Sequence, residues 1–174
     1  MIAVLGLAAQ LAVAMPVDTP PPVHTRPRPR AIEVSDWYNR RLVIHRWLAY
    51  STLPVFALQW SAGQQIWNKG PQAPVWARTG HRVGATTLAG IFTVNTVTGV
   101  WNLWDSRAVT QHRGLRYMHA FSMLTADAGF TWAGAVLSEQ AERDFNKRRL
   151  HRTVALSCIG LTVTSGVLMK VMNK

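Results

Sequence analysis

Four blocks of roughly 20 residues, Leu42 to Ala62, Thr79 to Leu103, Leu115 to Leu137 and Leu150 to Met172, are apolar and almost free of charge. Lys, Arg, Asp and Glu crowd into the joins between them. About 20 apolar residues are what a helix needs to cross the hydrocarbon of a bilayer, and charge confined to the joins separates such spans from amphipathic surface helices. The pattern predicts an all-α protein, a membrane-spanning antiparallel four-helix bundle over residues 42–174 with a Pro-rich N-terminal extension. Trp47, Trp60, Trp67, Trp76, Trp101 and Trp104 fall near block ends or in joins, where amphipathic rings suit the headgroup level.

The extension divides in two. Residues 1–15 form an apolar arm or signal-like segment: Ala12-Val13-Ala14 resembles a cleavage site, but no positive n-region precedes it. Residues 16–41 begin with PVDTPPPVHTRPRPR, whose prolines predict an extended basic linker. They end in a short interfacial helix, Ala31 to Arg41, with Ser35 or Asp36 as its cap. Gly63 to Arg78 reads as a loop running along the interface, Asp105 to Gly114 as a polar join and Ser138 to Arg149 as a short, highly charged connection, and no internal sequence repeat is evident.

Charge sharpens this picture. Nineteen Lys and Arg against eight Asp and Glu leave a net charge of +11. The basic residues flank the spans, where anionic headgroups favour each by about 1 kcal/mol. No basic face with interleaved aromatics lies elsewhere, so lipid and not nucleic acid is the expected polyanionic partner. Cys158 is the sole cysteine, which excludes an intramolecular disulfide, a CxxC metal site and a CxxCH covalent haem attachment. Counting cations on each side places the N-terminus on the cytoplasm-equivalent side of a bacterial cytoplasmic membrane or organelle inner membrane.

Candidate chemistry rests on His45, His81, His119 and His151, each near the start of one span and 36, 38 and 32 residues apart. Alternating direction puts His45 with His119 at one face and His81 with His151 at the other. Two imidazoles facing each other across a low-polarity bundle suit axial ligation of haem iron. All four are therefore candidate metal ligands, for two non-covalent b haems. About 17 residues of helix between the layers set the irons on the order of 20 Å apart. Arg46, Arg82 and Arg152 directly follow a candidate ligand and Arg116 lies one turn before His119, offering guanidinium groups to haem propionates. Asp127 is an acid deep inside the third span, a costly position that requires a partner, and Asn95 is the expected one. No residue pattern suggests a catalytic group. The clustered HxxxH boxes of membrane oxygenases are absent, since no two histidines stand closer than His112 and His119.

This spacing resembles the transmembrane cytochrome b-561 superfamily, in which four core helices hold two b haems between histidines of alternate helices. The run RRLHRTVALSCIGLTVTSGVLM, with its basic residue, His151 and Ser165-Gly166, is similar to that superfamily's last core helix. The likeness covers about Leu42 to Met172 and implies transmembrane electron transfer, as a carrier or oxidoreductase subunit rather than a stand-alone catalyst. A quinone, a redox protein or further subunits of a membrane complex would be the partners. The peripheral helices of the ascorbate-reducing members have no counterpart here, so ascorbate reduction is not implied. A haem-free accessory subunit of a membrane complex is the alternative.

Overall fold

The computed structural model describes residues 35–172, which belong to one compact unit. The arm of residues 1–15, the linker and the start of the expected interfacial helix lie outside the described residues. Helix α1 (Asp36–Lys69) opens at Ser35, whose hydroxyl accepts from the Tyr38 N–H at 3.2 Å, with Asp36 in the first turn complementing the helix dipole. The remainder of the expected interfacial helix, Asp36 to Arg41, therefore forms the first turns of α1.

The joins are shorter than the hydropathy pattern predicts, because helices persist beyond their apolar blocks. α1 is unbroken across Pro54 and continues to Lys69; Gly70, at φ 54°, stops it by returning its N–H to the Ile66 carbonyl. A single 3-10 turn, Gly70–Gln72, leads to Pro74 and α2 (Val75–Asp105). α3 (Arg113–Trp132) passes through a π turn, Ala133–Leu137, into α4 (Ser138–Arg143). Only Asp144 separates α4 from α5 (Phe145–Met172); its carboxylate accepts from the Lys147 N–H at 2.8 Å and caps α5. The charged connection Ser138 to Arg149 is thus almost wholly helical. No strand occurs among the described residues.

α1 packs along α2, and α3 along α5, as two antiparallel hairpins. Where the hairpins meet, Phe56, Phe92 and Phe130 pack with ring centres 5.1 to 6.2 Å apart, bordered by Leu88, Met123 and Ile159. The rest of the interior is small or polar: Thr52, Gln59, Ala62, Asn95, Ala126, Cys158, Thr162 and Ser165 are buried. Large apolar side chains face outward instead, with Trp47 71% and Phe121 73% exposed. Of the long helices, α2 and α5 are long and apolar enough to cross a membrane.

Candidate functional site

The four histidines stand in two layers, one on each side of the phenylalanine cluster along the helices. His45 of α1 and His119 of α3 have ring centres 6.4 Å apart with planes crossed at 81°. His81 of α2 and His151 of α5 have centres 6.2 Å apart and planes at 63°. Each pair bridges the two hairpins, and all four rings are half-buried.

Hydrogen bonds orient the imidazoles. His45 Nδ1 donates to the main-chain carbonyl of Asn95 at 3.2 Å, beside Thr98 Oγ1 at 3.3 Å. His151 Nδ1 donates to the Ala133 carbonyl at 3.0 Å, at the first residue of the π turn. His119 Nδ1 meets the Ser165 hydroxyl at 2.8 Å. A carbonyl acceptor can only be met by a protonated Nδ1, so Nε2 is the nitrogen left with a lone pair, the arrangement that holds metal-ligating histidines in one tautomer. His81 Nδ1 is buried with no partner.

Contacts between the two helices of each hairpin expose a symmetry that the sequence reading missed. His45 lies against Gly99 of α2, and His81 against Gly63 of α1. The Gln59 side-chain amide donates to the His81 carbonyl at 2.7 Å. The Asn95 amide, turned so that its nitrogen meets an acceptor, donates to the His45 carbonyl at 3.3 Å. His45-Arg46, Phe56, Gln59 and Gly63 on α1 thus recur 36 positions later as His81-Arg82, Phe92, Asn95 and Gly99 on α2. In the second hairpin, His119 opposite Ser165 and His151 opposite Ala133 share one antiparallel register as well. Aligning the chain on its own histidines would have found this inverted repeat. Its few matching positions are too sparse to register as self-similarity.

The layers lie 18 residues apart on α1 and α2, from His45 to Gly63 and from His81 to Gly99, and 14 apart on α3 and α5. Helical rise makes that about 21–27 Å, at or somewhat above the expected spacing.

The four arginines behave differently from one another. Arg46 and Arg82 are exposed beside their histidines. Arg152 stacks over Trp67, its guanidinium carbon 4.6 Å from the ring centre. Arg116 is occupied: it donates to the carbonyls of Val109, Gln111 and Ser106 and so clamps the α2–α3 join. These bonds engage both terminal nitrogens, while its Nε is buried without a partner among the described residues. Asn95 is not the partner of Asp127, since its side chain serves His45. The Asp127 carboxylate accepts from the neighbouring Thr96 hydroxyl. His112 caps α3, exposed and at φ 52°, apart from both layers.

A metal ion held at about 2 Å from each of two imidazole nitrogens sets the ring centres a little over 6 Å apart. Both pairs meet that spacing, and Gly99 and Gly63 keep a Cβ away from the rings of His45 and His81. The donor set at each layer is two neutral imidazoles. Among the described residues no group of three or more His, Cys, Asp or Glu is placed to hold a metal ion, so a metal at either layer would have two imidazoles as its protein ligands. Searches against protein-family models, curated proteins and solved structures return no match for this chain.

Proposed function

We propose that this chain is a four-helix membrane protein that carries electrons between the two faces of the membrane through two b-type haems, one held by His45 and His119 and the other by His81 and His151. The observation that carries the reading is the pair of imidazole contacts, 6.4 and 6.2 Å between centres, at opposite ends of one bundle. Bound haem would supply reversible one-electron chemistry at each layer. The Asn95, Ser165 and Ala133 oxygens hold His45, His119 and His151 by Nδ1, so that Nε2 can act as the ligand. Phe56, Phe92 and Phe130 fill the interior between the layers and exclude water from it. Arg46, Arg82 and Arg152 supply positive charge beside three of the four ligands. A quinone or a redox protein would exchange electrons at the faces, consistent with a cytochrome b-561-like protein.

Two features support four spans rather than two. Large apolar side chains are exposed on α1 and α3, including Leu53, Trp60, Phe121 and Leu124, as well as on α2 and α5, while away from the phenylalanine cluster the interior is small and polar. Lipid reverses the usual soluble distribution in this way, because apolar surface is at no disadvantage facing acyl chains and small residues let helices approach. The cations favour the N-terminal face as the cytoplasm-equivalent side.

Purified protein, expressed with haem supplied, should give a b-type alpha band in its reduced-minus-oxidised spectrum and a pyridine haemochrome. Colourless protein under those conditions would sink the proposal and leave a haem-free accessory subunit. A second prediction follows from the glycines. A Cβ at position 99 would stand 3.1 Å from His45 Cε1, whereas one at position 63 would be 3.6 Å from His81 Cε1, ordinary contact. Gly99→Ala should perturb the His45 site at a cost of about 1 kcal/mol, and Gly63→Ala should be nearly silent. Low-temperature paramagnetic resonance of the oxidised protein reads this as a shift of one low-spin ferric signal in the first variant only.

A further inference from the structure

Asp127 has no part in ligation, yet it occupies a singular position. On α3 it is eight residues beyond His119 and six before Ala133, the residue that meets His151, and so lies between the two histidine layers. Its Oδ2 accepts from Thr96 of α2, and its Oδ1 is buried without a hydrogen-bond partner. No other acid lies between the layers on any long helix, and the cations within those intervals, Arg46, Arg82 and Arg152, stand at the layers beside their histidines. α2 presents Thr96 to it. On α5 the titratable Cys158 packs against Gly129, two residues beyond Asp127, and Tyr50 of α1 faces Lys170. Among the described residues, a negative charge at Asp127 therefore has one hydroxyl donor and no ion pair to offset it.

We infer that Asp127 is a redox-linked proton site: it takes up a proton when an electron enters the bundle and releases it when the electron leaves. The inference rests on the haem reading above. An electron added to a low-dielectric interior repels a carboxylate there, and the two negative charges cannot both be accommodated without a counter-charge. The carboxylate gains one proton from water, forming an O–H bond at the oxygen that has no partner. The electron comes from a one-electron donor, dithionite in the test below, and oxidation by ferricyanide returns both electron and proton. The Thr96 hydroxyl positions Oδ2 and leaves Oδ1 as the atom that receives the proton.

The test is a potentiometric titration of haem-loaded protein across pH, paired with reduced-minus-oxidised infrared spectra. The wild-type midpoint potential is expected to fall as pH rises, toward the one-proton limit of about 59 mV per pH unit for a one-electron couple. A protonated-carboxyl band should accompany reduction. Asp127→Asn should flatten that slope and abolish the band while retaining both haems. Thr96→Val keeps the acid but removes a donor to its charged form, and should displace the pH range of the slope upward. Haem-loaded Asp127→Asn protein with an unchanged slope and band would overturn the role of Asp127 alone. Protein that binds no haem would overturn the haem reading and this inference with it. If Asp127→Asn does not assemble, Thr96→Val decides: an unmoved range counts against the proposal.

Discussion

His119→Ala is expected to halve the haem b content of the purified protein, and to remove the same haem that His45→Ala removes. These rings face each other at 6.4 Å from α1 and α3, so a metal between them loses one of its two protein ligands in either variant. His81 and His151 lie at the other end of the bundle, about 21–27 Å away along the helices, with their own contacts to Gly63 and Ala133. That site should keep its spectrum and potential nearly unchanged. The double replacement of His45 and His119 should look like either single one, because the two act as a unit. His112→Ala should keep both haems, since His112 is an exposed cap outside the layers. Haem stoichiometry by pyridine haemochrome, with alpha-band deconvolution, reads all of these. Loss of both haems from a folded His119→Ala protein, or of neither, would contradict the pairing.

Arg41→Ala is expected to be the most destabilising of the arginine substitutions, at about 3 kcal/mol, the lower end for breaking a buried ion pair because one partner retains some solvent. The Arg41 side chain is 10% exposed; it pairs with Asp105, donates from Nε to Asn102 Oδ1 at 3.2 Å, and lies over the Trp101 ring at 4.6 Å. These contacts join the first turns of α1 to the last turn of α2 and so fix the register that sets His45 against Gly99. Without Arg41, the Asp105 carboxylate is left uncompensated and Asn102 loses a partner. Arg41→Lys should recover little, because a point charge cannot serve carboxylate, amide and indole together. By contrast, Arg143→Ala breaks an exposed pair with Glu139 one helical turn away and should cost only about 0.3–0.5 kcal/mol. Thermal and denaturant unfolding in detergent would measure the difference. Equal losses for the two variants would show that the buried pair contributes nothing to the hairpin.

Helix content, the four long helices and the placement of one histidine near the start of each are legible in the chain. Apolar run length and residue spacing are one-dimensional properties, and a 3.6-residue helix with short joins converts them directly into height along a bundle. Helix ends were less legible, because hydropathy marks where a segment is apolar and not where backbone hydrogen bonding stops. The α1–α2 join shrank to a 3-10 turn for that reason: Trp67, Asn68 and Lys69 continue the helix until Gly70 ends it.

Side-chain partners were decided only in three dimensions. Arg40 and Arg41 are alike in sequence, yet Arg40 is exposed while Arg41 is buried against Asp105. Adjacent Asn95 and Thr96 differ by about 100° around α2, which sends one to His45 and the other to Asp127. Arg116 has the spacing of a cofactor-facing residue but serves the carbonyls of its own join. Such outcomes depend on the rotation and axial register of each helix against its neighbours. A helix with large apolar groups outside and small ones inside gives little periodic signal of which face turns inward. The sequence by itself therefore determined an all-helical chain with a histidine at each helix entrance. The tertiary structure decided what holds the rings of the imidazoles that the spacing already pairs, and that a carboxyl lies between the two layers with, among the described residues, a threonine hydroxyl as its donor.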